Sequence, residues 1–203
     1  MIVFTGQCSK SDLRHIRELK MGIMLQPLGC DKQDYGDTPL AFDNGAFRAW
    51  RLGYPFMERL FWKRLEDCFK RGWRLQFLVC PDLIARGYES LAFSLRWANE
   101  KLAGCPKLAL AVQDGMVPSV VHEKIVDNQF SHIFVGGTEK WKWDTAQDWV
   151  QYAHDNSMKC HIGRCGTRNA IDRAVAMGVD SVDSSSIVRN KSWDVVRKNA
   201  LLF

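Results

Sequence analysis

Asp43 and Asn44 end the run LAFDNG, Asp82 ends LQFLVCPD, and Gln113 and Asp114 end LALAVQDG. Gly136 and Gly137 end HIFVGG, and Asp183 stands at the head of three serines in SVDSSS. A carboxylate at the end of a short apolar run is either a turn residue or a chemical group. Two of them facing one pocket are the minimum apparatus for displacement at an anomeric carbon, one as nucleophile and the other as acid or base. Asp82 and Gln113, beside a glycine that lets backbone groups come close, can read the hydrogen-bonding edge of a flat heterocycle. Together they suggest a nucleoside. Taken singly, each has a plainer explanation: Asn44-Gly45 is a strong turn signal, Asp82 after Pro81 can cap a helix, Gly136-Gly137 can punctuate the backbone, and Asp183 can open a loop. Only their joint placement favours chemistry.

These residues need elements that bring them to one place. Eight apolar runs read as strands: MIVFTG, MGIMLQP, LAFDNG, LQFLVCPD, LALAVQDG, HIFVGG, KCHIGRCG and SVDSSS. Stretches with helical spacing lie between them. The clearest is FMERLFWKRLEDCFKRG, in which Phe56, Leu60, Phe61, Leu65, Cys68 and Phe69 share a face and Gly72 marks a stop. SVVHEKIVDNQ, DTAQDWVQYAHDNS and TRNAIDRAVAMGVD behave alike, the last with Thr167 as N-cap and Gly178 as C-terminal stop. The stretches QPLGCDKQDYGDTP and RAWRLGYP read as loops after strand ends. Strand-helix alternation predicts a parallel sheet in the α/β class. Eight repeats in 203 residues predict one closed (β/α)8, TIM-like barrel over residues 1–203, with its active site where strands end.

The bulk composition narrows the classes without choosing among them. A hydrophobic content of 46% suits an ordinary globular chain, and a net charge of +5 tolerates a polyanionic partner without resembling a histone-like binder. With no apolar run long enough to span a bilayer and an N-terminus that turns polar early, the sequence predicts a cytoplasmic protein with no membrane partner. The seven cysteines lack paired spacing and read as reduced thiols. Cys160, His161 and Cys165 are the nearest approach to a metal cluster, but in a strand Cys160 and His161 face opposite sides, so no metal and no cofactor are expected. His15, His122, His132 and His154 read as surface or core groups, whereas His161 lies on a strand near the pocket.

Several of these stretches resemble a known family. GTRNAIDRAVAMGVDSVDSSSIVRN is similar to the glycine loop, helix and nucleophile strand of tRNA-guanine transglycosylases. FDNGAF is similar to that family's acid/base loop, VCPD to its base-reading strand, AVQDG to its V-Q-G-G and FVGG to its I-G-G, in the same order from residue 41 to 190. The resemblance implies that Asp183 is the nucleophile and Asp43 the general acid/base, that Asp82, Gln113 and Gly136 or Gly137 hold the base, and that Phe47 stacks on it. It also implies that hydroxyls of Ser184 to Ser186 or nearby N–H groups hold the Asp183 anion while Asp43 has a raised pKa.

The tRNA enzymes carry a C-terminal zinc site beyond the nucleophile strand, and no cysteine follows Cys165 here. The chain therefore looks most like the short, zinc-free DNA 7-deazaguanine transglycosylases of bacteriophages and bacterial modification islands. That likeness implies exchange of guanine in DNA for a 7-deazaguanine such as preQ0, ahead of tRNA as substrate. A phage-encoded member would work in the host cytoplasm. Arg48, Arg51, Lys140, Lys142, Arg189 and Lys191, with Trp50, Trp141, Trp143 and Trp193, are the candidate contacts to nucleic acid, although residues 140 to 143 read equally well as a solvated loop. A glycosidic hydrolase, a non-catalytic nucleic-acid-binding barrel and a homodimer remain open alternatives.

Overall fold

Eight short apolar segments pair in sequence order in the computed structural model, which describes residues 1–29, 34–126 and 129–200. They are β1 (Ile2–Thr5), β2 (Gly22–Leu25), β3 (Leu40–Phe42), β4 (Leu75–Val79), β5 (Leu108–Val112), β6 (His132–Val135), β7 (Lys159–Ile162) and β8 (Ser181–Asp183). All pairings are parallel, and β8 returns to β1 with Ile2 opposite Ser181 and Phe4 opposite Asp183, so the sheet closes into a (β/α)8 barrel. Each strand falls inside one of the eight apolar runs of the sequence.

The helices are α1 (Lys10–Glu18), α2 (Ala46–Arg51), α3 (Glu58–Lys70), α4 (Tyr88–Glu100), α5 (Pro118–His122), α6 (Glu139–Asp155), α7 (Arg168–Ala176), α8 (Ser185–Arg189) and α9 (Asp194–Ala200). Thr167 caps α7 by accepting from the Ala170 N–H, and Gly178 follows it with φ of +76°, a left-handed conformation that suits glycine.

A pleat of period two sorts the strand residues into two layers. Val3, Ile23, Leu25, Leu40, Phe42, Leu78, Leu110, Ile133, Cys160 and Val182 point outward and pack with the helices. Phe4, Met24, Ala41, Phe77, Val79, Ala109 and Ala111 point inward and fill the barrel, with Ile2 and Phe134 against them. Large rings and alanines alternate around the interior. Gly22 is part of this fit, because a Cβ there would stand 2.5 Å from the Phe4 ring.

Three sequence expectations need correction. RAWRLGYP was expected to be a loop, yet its first residues complete α2. The Asn44 side chain accepts from the Ala46 N–H at 2.8 Å, Gly45 takes the left-handed conformation with φ of +78°, and Ala46 and Ala49 are buried, which turns the chain from strand into helix instead of into a hairpin. The helix expected over SVVHEKIVDNQ is only the single turn of α5. It buries Val121 alone, too little apolar surface to hold more, and residues 127–128 lie outside the described ones. Phe69, expected on the buried face of α3, is 62% exposed, because that face is narrower and consists of Phe61, Leu65, Cys68 and the buried Arg64.

The interior packing sets a stability test. Phe77 is buried against the rings of Phe4, His132 and His161, with centroids 5.7, 4.7 and 5.1 Å away. Phe77→Ala should lower the unfolding free energy by about 3 to 5 kcal/mol, read as a lower urea midpoint at unchanged slope.

Candidate active site

The residue after a barrel strand keeps the parity of that strand, so an inward position one step beyond the filled interior lies at the open end. Gln26 follows Met24 by two, Asp43 follows Ala41, Gln113 follows Ala111, Gly136 follows Phe134, Gly163 follows His161 and Asp183 follows Ser181. These six occupy the C-terminal mouth of the barrel. Below them lies the apolar plug formed by Phe4, Phe77 and Phe134.

Asp43 and Asp183 share this mouth, near enough for the charge on Asp183 to act on Asp43. Burial, and secondarily that charge, raise the Asp43 carboxyl to about 6, against the opposing pull of the Gly45 N–H at 3.0 Å and the Gln26 amide at 3.2 Å. A carboxyl that takes and gives a proton near neutrality is the property expected of an acid/base. Gln26 was missed in the sequence, where nothing marks it except the strand end it occupies.

Asp183 is treated differently. Its Oδ1 accepts from Nε2 of His161 at 3.1 Å and from the backbone N–H of Arg164 at 3.3 Å. Ser184 and Ser186, expected to hold this anion, instead bond each other at 2.7 Å, and Ser184 caps α8 by accepting from the Ser186 N–H. The helix start claims those hydroxyls first, so the N–H of Arg164 and the ring of His161 do the holding.

Asp82 and Gln113 come together, but as a closed network. Asn44 donates to Asp82 Oδ1 at 2.9 Å, and the Gln113 amide donates to Asp82 Oδ2 at 3.3 Å, to the Leu83 carbonyl at 3.1 Å and to Ser90 Oγ at 2.9 Å. The Gln113 oxygen accepts from the Arg86 N–H at 3.1 Å. A ligand reaching Gln113 must replace one of these partners. Burial, and after it the charge on Asp43, raise Asp82 to about 7 despite the Asn44 hydrogen bond.

Phe47 stands exposed in the first turn of α2, and the Arg164 guanidinium lies 5.3 Å over its ring. The same guanidinium donates to the Gly137 carbonyl. Arg164 thus reaches from the loop after β7 to groups after β3 and β6, spanning the mouth. It occupies the Phe47 face on which the resemblance stacks a base, and the backbone of one of the two glycines expected to contact that base. Nothing in IGRCG marks it in the sequence, and its left-handed φ of +62° is visible only in the fold. Gly163 keeps the space beside Asp183 open, since a Cβ there would press on Phe134 at 3.0 Å. Gly137 also needs to be glycine, with φ of +71° and Asp114 Oδ2 only 2.6 Å from a would-be Cβ. Gly136 donates from its N–H to the Val112 carbonyl within the barrel.

The candidate nucleic-acid contacts divide. Arg48, Arg51 and Arg189 are exposed with no ion pair among the described residues. Lys140 pairs with Asp144, and Lys191 with Asp12, so each is partly neutralised. Lys142 is a correction: its side chain is wholly buried, donating to the Gly163 carbonyl at 3.0 Å and to Glu139 at 2.8 Å, and cannot meet a phosphate. The segment around it is the first turn of α6, which turns Lys142 inward while Lys140 faces solvent, and is not a loop. Trp50, at 53% exposed, adds a ring 5.9 Å from Phe47.

The other titratable groups lie apart from this chemistry. Cys160 packs in the outer layer while His161 points inward, as the strand parity required. Cys68, Cys80, Cys105, Cys160 and Cys165 are free thiols, and Cys30 lies outside the described residues. Among the described residues no cluster of three or more His, Cys, Asp or Glu side chains is arranged to hold a metal ion, and no helix is long and apolar enough to cross a membrane. Two hollows of about 550 and 540 Å³ lie elsewhere, one beside Phe93 and Trp97 and one beside Arg17 and Thr38.

Fold and site together define a (β/α)8 barrel with a carboxylate-bearing mouth. No protein-family profile and no curated protein matches the chain.

The raised Asp43 carboxyl makes a signed prediction. Its folded pKa of about 6 exceeds the unfolded value near 3.9, so its protonated form favours folding below pH 4 and that contribution is lost as pH rises through 6. Asp43→Asn should therefore gain stability relative to wild type between pH 4 and pH 7.5, by about 1 to 2 kcal/mol after allowing for the carboxyl's partial contact with water. Urea denaturation at the two pH values checks it, and a pH-independent difference would contradict the assignment.

Proposed function

We propose that the mouth performs base exchange on DNA, replacing guanine with a 7-deazaguanine such as preQ0 through a covalent aspartyl-glycosyl intermediate. The observation that carries this reading is the pairing of two unlike carboxyls in one mouth: Asp183, held by hydrogen-bond donors, and Asp43, raised toward neutrality by burial. One suits a nucleophile and the other a proton carrier. The ordered resemblance of FDNGAF, VCPD, AVQDG, FVGG and VDSSS to the guanine transglycosylases supports the same assignment.

The chemistry follows from these roles. Asp183 attacks C1′ as the bond to the guanine nitrogen breaks, and the electron pair leaves with the base, which takes the Asp43 proton. The incoming 7-deazaguanine gives a proton to Asp43 and attacks C1′ from the face the guanine left, so two inversions give retention. A flat base stacking on Phe47 must first displace the Arg164 guanidinium, and its polar edge meets Asp82, Gln113 and the Gly137 carbonyl. The target nucleotide has to be extruded or single-stranded, at a cost of a few kcal/mol. Exposed Phe47 and Trp50, with Arg48, Arg51 and Arg189, offer stacking and phosphate contacts that offset it.

Incubation with labelled guanine or preQ0 and duplex DNA, single-stranded DNA or tRNA tests this. Label should enter DNA, with incorporation falling as salt rises. Asp183→Asn should abolish incorporation, and Asp43→Asn should slow it by about 10² to 10⁴. Label confined to tRNA would reassign the polymer, an abasic product would make the protein a hydrolase, and full exchange by Asp183→Asn would overturn the mechanism.

A further inference from the structure

We propose that His161 is the positioning residue of the Asp183 carboxylate, an inference that rests on the base-exchange reading. His161 is fully buried, yet both ring nitrogens are satisfied: Nε2 lies 3.1 Å from Asp183 Oδ1 and Nδ1 lies 2.8 Å from Ser181 Oγ. An ionised carboxylate only accepts, so Nε2 carries the hydrogen, and the neutral ring then accepts at Nδ1 from the Ser181 hydroxyl. The ring is fixed by stacking on Phe134 at 4.7 Å and 22°, with Phe77 at 5.1 Å and Phe4 at 6.1 Å. A buried imidazole costs desolvation that a phenyl ring would avoid, and packing alone gives no reason for it.

The same three residue types serve hydrolases in the opposite order. There the hydroxyl faces the substrate and the carboxylate is buried behind the imidazole. Here Ser181 is 5% exposed and sits one pleat repeat, about 6.6 Å, further down β8, while Asp183 faces the opening. Serine orients imidazole, and imidazole orients carboxylate. The reactive end is therefore the acid.

Both donors to Asp183 fall on Oδ1, and among the described residues no hydrogen bond reaches Oδ2. Oδ2 is the atom free to attack. In the first half-reaction the Oδ2–C1′ bond forms as the C1′–N bond breaks, the electron pair leaves on the base and the Asp43 proton goes with it. Oδ1 becomes the ester carbonyl oxygen and keeps accepting from His161. In the second half the incoming nitrogen bonds C1′, the Oδ2–C1′ pair returns to the carboxylate, and the base's proton passes to Asp43. His161 moves no proton.

Histidine-labelled full-length protein, observed by ¹⁵N NMR at neutral pH, should show His161 protonated at Nε2, with that resonance displaced in Asp183→Ala. In exchange of labelled guanine into a guanine-containing DNA oligonucleotide, His161→Phe, which keeps the ring stack but removes the donor, should lower kcat by about 10- to 100-fold with KM unchanged. His161→Gln, whose amide nitrogen reaches the Nε2 position, should recover most of that loss. A hydrogen on Nδ1 alone, a resonance indifferent to Asp183→Ala, or wild-type exchange by His161→Phe would overturn the proposal. Equal losses in both variants with a lowered melting temperature would reduce His161 to packing. If wild-type protein exchanges no base, the base-exchange reading falls, and the NMR result alone decides whether His161 positions Asp183.

Discussion

Closure of β8 onto β1 fixes which side of every strand faces inward, and the rest of the molecule follows from that parity. Once Phe4 stands opposite Asp183, a slip of one residue would send Phe4 outward and Asp183 into the helix layer. The interior then has to be filled. Phe4, Phe77 and Phe134 occupy it with alanines between them, and Gly22 gives way to the Phe4 ring. This apolar plug confines polar side chains to a single layer at the mouth, apart from His132, His161 and Ser181 below it.

That layer brings acids together in surroundings that treat them unequally. Asp43 is half-buried and sits near a second negative charge, and its carboxyl is raised to about 6. Asp82 is buried more completely and raised to about 7, its oxygens spent on Asn44 and Gln113. Asp183 receives the imidazole and a backbone N–H. Each acid accepts from two donors, and burial raises Asp43 and Asp82 in spite of theirs. Buried His132, whose pKa falls to about 4 chiefly through desolvation, stays neutral beneath them.

The mouth is also partly self-occupied. Arg164 lays a flat, hydrogen-donating group on Phe47 and the Gly137 carbonyl, much as a planar base would. Lys142, in contrast, is spent inside the fold, bracing the loop after β7 through the Gly163 carbonyl. One cation faces the opening and the other holds up the loop that carries it.

The strands were legible in the sequence because each is a short apolar run ending in small polar residues, and the parallel barrel was legible because eight such runs alternate with helical stretches. The candidate acids were legible for a related reason, since Asp43, Asp82 and Asp183 stand where those runs stop. Local signals failed where neighbours decide. Asn44-Gly45 has the pattern of a hairpin turn, but the Asn44 side chain starts a helix while reaching across to Asp82. Lys142 has the pattern of a surface cation, but the first turn of α6 points it at the Gly163 carbonyl. His161 is one of five histidines with nothing local to distinguish it, and becomes special only because β7 and β8 are adjacent with Ser181 beside it in register. Periodicity and end residues, both short-range properties, determined the elements and the candidate acids. Which acid is buried, which is held by donors and which cation is free depends on contacts between residues far apart in sequence, and only closure of the barrel creates those contacts.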